Sequence, residues 1–327
     1  METEEINQLV REGEELGFDY YWMPDQTFFK DPFVILTRLV DITSYIKLGI
    51  AVTNPYTRHP VQVARAIGTL NHISRGRVSL GLGAGNRKQL LEPLGMRQSK
   101  PAIACQEATQ IIRKLVTGET VTFQGEFFSV TGVRLEFPVE SAPPVLMAGR
   151  GPMTLQKAGE VADGVIIGGL VAKVGLQYAF RNIRNGLSTS TQPNKDFYKV
   201  SWVTAQLTED PEQAMKEAKP IIGHIIGGAP SQVLNALKID QGRQERLKAA
   251  YAQGGPQAAA DYVTDTEVDM FSIIGHAEKF IKKIKLLSEF GIDQISLLLG
   301  PRSLTDTLKF LESFSDQVMA KINWTQL

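Results

Sequence analysis

The sequence predicts an α/β fold of the parallel-barrel type, and three observations carry that reading. Amphipathic helical stretches and short apolar runs alternate along most of the chain, joined by turns of a few residues. The apolar runs, such as LGIAV at 48–52, lack polar alternation, as strands do when both faces of their sheet are covered. Several runs end abruptly in glycine or polar residues, and the carboxyl ends of parallel strands are where such proteins carry their sites.

Taken in order, the first helix is expected at 4–16, with Ile6, Leu9, Val10 and Leu16 on one side and Gly17 as its stop. Strand 20–24 (YYWMP) ends on Asp25 and Gln26, and helix 32–44 carries Ile35, Leu36, Leu39 and Val40 at helical spacing. Strand 47–53 follows. Its exit residue Asn54 precedes a proline and is biased towards extended angles, and Pro60 suits the first turn of helix 60–74. Strand 77–82 runs into Gly83-Ala84-Gly85-Asn86, then a loop, then helix 102–117. Segment 119–136 breaks the rhythm and reads as an appended β-hairpin around Gly125.

Alternation resumes with strand 144–148, the turn Gly149-Arg150-Gly151-Pro152-Met153, helix 153–162 and strand 164–167 ending on Gly168-Gly169. A further helix leads to strand 198–206. Residues 208–269 are helical, with breaks at Gly227-Gly228 and Gly254-Gly255, and are expected to form an insertion that acts as a lid or pocket wall. Helix 276–290, strand 293–299 and helix 304–321 close the chain. The reading is a single domain over 1–327 with insertions at 119–136 and 208–269. It supplies seven strands where a (β/α)₈ barrel needs eight, and it opens in a helix. The first strand is therefore expected to be missing from this chain, with an unpaired gap between strands 20–24 and 293–299.

Composition narrows the function classes. Lys plus Arg equals Asp plus Glu at 35 each, which favours neither nucleic acid nor an anionic membrane as partner. The one cysteine, Cys105, excludes an internal disulfide and disfavours a cysteine-rich metal site. No apolar run of about 18 residues and no secretory start are present, so a cytoplasmic protein is expected.

Two glycine-rich turns stand out. Gly81-Leu82-Gly83-Ala84-Gly85-Asn86 fails the dinucleotide spacing at its sixth position, yet its glycines let either a ligand or a helix approach the backbone. The turn from Gly149 to Met153 opens a helix, whose free N–H groups and dipole suit a phosphate, with Arg150 adding charge and Gly168-Gly169 beside it. The four histidines, at 59, 72, 224 and 276, show no metal-ligand spacing, and His72 reads as a packing residue. Asp25 is the one acid placed to face a site, or else it caps a helix.

These motifs together resemble the bacterial luciferase-like superfamily, and within it the methylenetetrahydromethanopterin reductase-like branch that uses coenzyme F420. The resemblance lies in ELGFDYYWMPDQ at 15–26, LGIAVTNPYTRHP at 48–60, ISRGRVSLGLGAG at 73–85, AGRGPMTLQKAGEVADGVII at 148–167 and DMFSIIGHAEKFIKKI at 269–284. It implies a (β/α)₈ barrel, usually a homodimer, that transfers a hydride between reduced F420 and a small organic substrate. It further implies a bulge with a cis peptide at Ala51–Val52 behind the ring, with Thr53 and Asn54 hydrogen-bonding the ring edge. Gly83, Gly85 and Asn86 would flank the ring, Asp25 would act as the catalytic group near its polar edge, and Gly149, Arg150, Gly151, Met153, Gly168 and Gly169 would take the phosphate. The sequence departs from the family in having no carboxylate-bearing strand before Glu4, Gln26 where a histidine is common, and Asn86 where several relatives carry an acid. An FMN-dependent monooxygenase and a non-catalytic flavin-binding protein are the alternatives.

Overall fold

The computed structural model describes residues 1–137, 139, 141–190, 196–300 and 302–324. They fall into two compact units: Met1–Gly149, Met153–Ile166 and Ile183–Tyr198 form the first, and Arg150–Pro152, Ile167–Asn182 and Lys199–Leu327 the second. In chain order the elements are α1 (Thr3–Glu15), β1 (Tyr20–Met23), α2 (Pro32–Ile42), β2 (Lys47–Thr53), α3 (Pro60–Ile73), β3 (Val78–Leu82), α4 (Pro101–Val116), β4 (Val121–Gln124), β5 (Ser129–Val133), β6 (Val145–Gly149), α5 (Pro152–Val161) and β7 (Gly164–Gly168). Then follow α6 (Lys173–Leu187), β8 (Tyr198–Leu207), α7 (Pro211–Gly227), α8 (Ser231–Ala236), α9 (Gln241–Ala260), α10 (Asp265–Phe271), β9 (Ser272–Gly275), α11 (Ala277–Glu289), β10 (Gln294–Leu298) and α12 (Leu304–Gln317).

In the first unit β1, β2, β3, β6 and the start of β7 are hydrogen-bonded in that order, and β1–β2, β2–β3 and β3–β6 run parallel. In the second unit the end of β7 lies beside β8, whose first half pairs in parallel with β10 and whose last residues pair in parallel with β9. Among the described residues β1 has one strand partner, β2, and β10 has one, β8. The hairpin at 119–136 forms as the antiparallel pair β4–β5. Residues 208–269 fold into α7, α8, α9 and most of α10, and α9 is broken at Gly254 and Gly255.

Two details differ from the sequence reading. The segment after Asn86 is not a loop but a π-helical turn, Arg87–Leu91, followed by a short 3₁₀ turn, because Asn86 itself caps it. Strand β9 has no counterpart in the reading. Its four residues are too few to show a period and lie directly between two helices.

Register places Leu48, Ile50, Leu80, Leu82, Val145 and Met147 on one face of the first unit's sheet, all buried. The opposite face carries Trp22, which stacks on Tyr20 with centroids 5.4 Å apart and lies flat on Gly49, where an added Cβ would fall 2.1 Å from the indole. Between Ile50 and Thr53 the pairing slips: three steps along β2 match two along β3, a β-bulge that contains the expected cis peptide at Ala51–Val52. The glycines of β3 make room for it. A Cβ on Gly81 would sit 2.6 Å from the Ile50 carbonyl oxygen, and one on Gly83 would sit 2.7 Å from Val52 Cγ2.

Helix α1 ends as the sequence indicates. Gly17 takes φ +86°, and the N–H groups of Gly17 and Phe18 return to the carbonyls of Glu14 and Gly13. Glu14, in its last turn, then ties the helix to the entry of β2. Its carboxylate accepts the N–H groups of Ser44, Tyr45 and Ile46, at 2.7 Å for the last two. Burial raises the Glu14 pKa, but these three bonds and the nearby Arg77 outweigh it and hold the group below the ordinary carboxylate range.

Two outcomes follow from this packing. Glu14→Gln should cost about 2 kcal/mol at neutral pH, measured by urea unfolding. Because the folded-state pKa is depressed, the parent's advantage is present above the unfolded value and should shrink as pH falls through the folded one. The second concerns α5 and α6, which touch backbone to backbone: a Cβ on Gly186 would lie 1.9 Å from the Gln156 carbonyl oxygen. Gly186→Ala should therefore destabilise the fold by at least about 2 kcal/mol despite alanine's higher helix propensity, seen as a lowered Tm.

Candidate functional site

In the first unit the candidate residues gather at the carboxyl ends of β1, β2 and β3. The Thr53 hydroxyl donates to Asp25 Oδ2 at 2.7 Å, and Arg58 Nε reaches the same oxygen at 3.2 Å. The other arm of Arg58 donates to Asp31, whose Oδ1 accepts the N–H of Phe33 at 2.9 Å and so caps α2. The guanidinium also stands 5.0 Å from the centroid of the Phe33 ring. Burial raises the Asp31 pKa, yet the Arg58 hydrogen bond and charge, with the cap N–H groups, leave it lowered. Burial works against the Arg58 charge too, and the two aspartates outweigh it and raise its pKa. The helix-capping role open to Asp25 belongs to Asp31 instead.

Asn54 Oδ1 accepts the N–H groups of Tyr56 and Thr57, each at 3.0 Å, which folds the chain into a tight turn after the strand. Its amide nitrogen donates to no other described residue. Ala51, Thr53 and Asn54 are buried, so Val52 is the one of these four with a face towards solvent. Gly85, at φ +71°, lies against Asn54, and Gln98 Nε2 donates to the carbonyls of Ala84 and Gly85 at 2.8 and 3.0 Å. Asn86 accepts from the Gln89 N–H at 3.0 Å and caps the helical turn that follows. The glycines of this turn thus accommodate the bulge and Asn54.

In the second unit Arg150 is the central group. Its guanidinium lies over Gly168, where an added Cβ would meet Nη2 at 3.3 Å, and Nη1 reaches the Ile225 carbonyl at 3.5 Å in the last turn of α7. A cation suits that helix end. No carboxylate among the described residues pairs with it. Some of its surface is solvent-accessible, but burial of the guanidinium brings its pKa down to about 10, so it stays charged at neutral pH. Tyr178 donates to the Arg150 carbonyl at 3.2 Å, and Gly169, at φ +64°, turns the chain beneath. Gly151 is open, with Pro230 its nearest neighbour at 3.7 Å from a would-be Cβ.

His224 shares a 2.8 Å hydrogen bond with the Tyr251 hydroxyl, and burial together with the Arg150 charge lowers its pKa. Gly149, by contrast, packs on Thr154, and Met153 projects outward at 57% exposure. His72 is exposed in the last turn of α3 and so is not the packing residue the sequence suggests. Arg58 and the His224–Tyr251 pair are the groups that sequence reasoning does not single out. Arg58 had a signal, as a cation four residues beyond a strand-end asparagine, whereas nothing local links His224 to Tyr251 or Arg150. Among the described residues no three His, Cys, Asp or Glu are grouped to hold a metal, and no helix is long and apolar enough to cross a membrane.

Comparison with known proteins agrees with this architecture. The chain is 33% identical over 326 residues to the 5,10-methylenetetrahydromethanopterin reductase of Archaeoglobus fulgidus, covering 98% of this chain and 97% of that one. It is 28% identical to the enzyme of the same name from Methanopyrus kandleri, covering 96% and 93%. The solved structure of the coenzyme F420 dependent tetrahydromethanopterin reductase from Methanopyrus kandleri superposes with a TM-score of 0.82 at 26% identity, over 98% of this chain and 96% of that one. A family model described as luciferase-like monooxygenase matches residues 1–294. The chain belongs to the luciferase-like monooxygenase family.

Proposed function

We propose that this protein is an F420-dependent oxidoreductase that transfers a hydride between reduced coenzyme F420 and an organic substrate of the methylenetetrahydromethanopterin kind. The observation that carries the reading is the end-to-end match to reductases of that name, at 33% identity over 98% of the chain. We read the parallel strands as those of a (β/α)₈-type barrel in one domain, and the assembly as a homodimer, which light scattering would report as twice the chain mass.

The residues present fit such a cofactor. In the first unit Val52 offers a bulged apolar platform, and Asn54 stands behind it with an amide nitrogen that no described residue accepts. In the second unit Arg150 is a cation without a carboxylate beside two glycines, a donor set that suits a phosphate. When bound, F420 supplies the two-electron hydride chemistry. In the first unit the chain's part is to present Val52 to the ring and keep water from the reacting carbon, and in the second it is to offer the Arg150 charge to an anion. Asp25, already engaged by Thr53 and Arg58, supports the seat rather than serving as a free acid.

The purified chain should bind F420 in preference to FMN in a fluorescence titration. FMN binding with oxygen-dependent turnover would favour the monooxygenase reading, and cofactor binding without turnover of any substrate would favour a binding protein. Arg150→Met should weaken F420 binding by at least about tenfold while leaving a phosphate-free deazaflavin almost unaffected. Equal losses for both ligands would refute the phosphate assignment. Asn54→Asp, which keeps the oxygen that accepts the Tyr56 and Thr57 N–H groups but has no amide nitrogen, should also weaken F420 binding by about tenfold; unchanged affinity would make the turn mere scaffold.

A further inference from the structure

We propose that Arg58 is a positioning residue of the ring-side seat: by pairing with Asp25 it supplies the counter-charge of that buried carboxylate and so holds Thr53, and the end of the bulged strand, in place. The proposal rests on the cofactor reading above for its ligand, and on the following geometry for its cause. Asp25 is 9% exposed, and Thr53, whose hydroxyl is its other partner, is fully buried. The charged groups that face Asp25 are Arg58 and, on the far side of Arg58, Asp31. Asp31 is fixed as the cap of α2 through Oδ1, and its other oxygen accepts from Arg58, so the guanidinium is held from behind.

The consequence concerns hydrogen-bond polarity. An ionised Asp25 accepts only, so the Thr53 hydroxyl must donate to it, which is the arrangement at 2.7 Å. Without Arg58 a carboxylate this buried loses its counter-charge, and its pKa rises. A buried carboxylate without a counter-charge is driven towards water until it takes up a proton, and while it is charged the two strand ends are no longer held in one arrangement. Arg58 acts through Asp25 and Thr53, not on the ligand.

The test compares the parent, Arg58→Met, Arg58→Lys and Arg58→Met/Asp25→Asn by F420 titration from about pH 5.5 to about pH 8, with Tm recorded at each pH. Arg58→Met should bind F420 about tenfold more weakly than the parent at the upper end, where Asp25 is forced to carry an unpaired charge. The gap should narrow towards the lower end as Asp25 takes up its proton. Arg58→Lys should keep most of the affinity, and the double variant should recover it and lose the pH dependence.

Stability carries an arm that needs no cofactor. A raised Asp25 pKa means that the folded state binds the proton more tightly, so the Tm of Arg58→Met should fall as pH rises, and that of the double variant should not. Parent-like binding by Arg58→Met would overturn the proposal. So would a loss that is equal at every pH and unrelieved by Asp25→Asn, since that is what direct ligand contact or plain scaffolding gives. If the parent binds neither F420 nor FMN, the function reading fails, and the Tm profiles decide the Arg58–Asp25 coupling alone.

Discussion

One extra residue between Ile50 and Thr53 is the constraint on which the first unit depends. It breaks the pairing of Ala51 and Val52 with β3, and it fits there because Gly81 and Gly83 present no Cβ to the bulge. The strand then has to be caught again at its end. Thr53 does this by donating to Asp25, just past the end of the neighbouring strand β1, and Asn54 by turning the chain at once. A bulge of this kind re-aims side chains, and here it brings an apolar surface forward while the polar groups that stabilise it stay behind. Strand, glycines and carboxylate form one unit of design, and a change in any of them is felt by the others.

The second unit solves a different problem. Arg150 carries full charge in a place that discourages it, since burial already draws its pKa down to about 10. Its protein partner is the carbonyl of Ile225 at the end of α7, a dipole rather than a counter-ion. A cation left in that condition is stabilised further by any anion that enters. Burial, with the same charge added to it, lowers the pKa of His224, whose ring is hydrogen-bonded to the Tyr251 hydroxyl. Helix α7 thus contributes the Ile225 carbonyl and the His224 ring to the surroundings of Arg150, and α9 contributes the Tyr251 hydroxyl that bonds that ring.

Much of this was legible in the residues themselves. The unalternating apolar runs marked the main strands to within about a residue, because covered parallel strands carry no other pattern. Gly17, Pro60 and the hairpin around Gly125 followed from local backbone chemistry. The bulge came from family resemblance rather than from periodicity. The sequence was silent where the cause is tertiary. Strand β9 exists because β8 is long enough to pair with it beyond β10. Asp25 and Arg58 lie 33 positions apart, and only the folding of β1 against β2 makes them partners. Thr53 read as a group offered to a ligand, yet it is buried and committed to Asp25, a fact that no pattern of neighbours encodes.

The central claim is that this arrangement serves hydride transfer with a deazaflavin. The most direct measurement is an anaerobic single-turnover reaction of the protein with reduced F420 and methylenetetrahydromethanopterin, followed by the absorbance of oxidised F420. The expected result is stoichiometric oxidation of F420 with one methyl product formed for each hydride lost. F420 that binds and stays reduced, with every candidate acceptor present, would contradict the account.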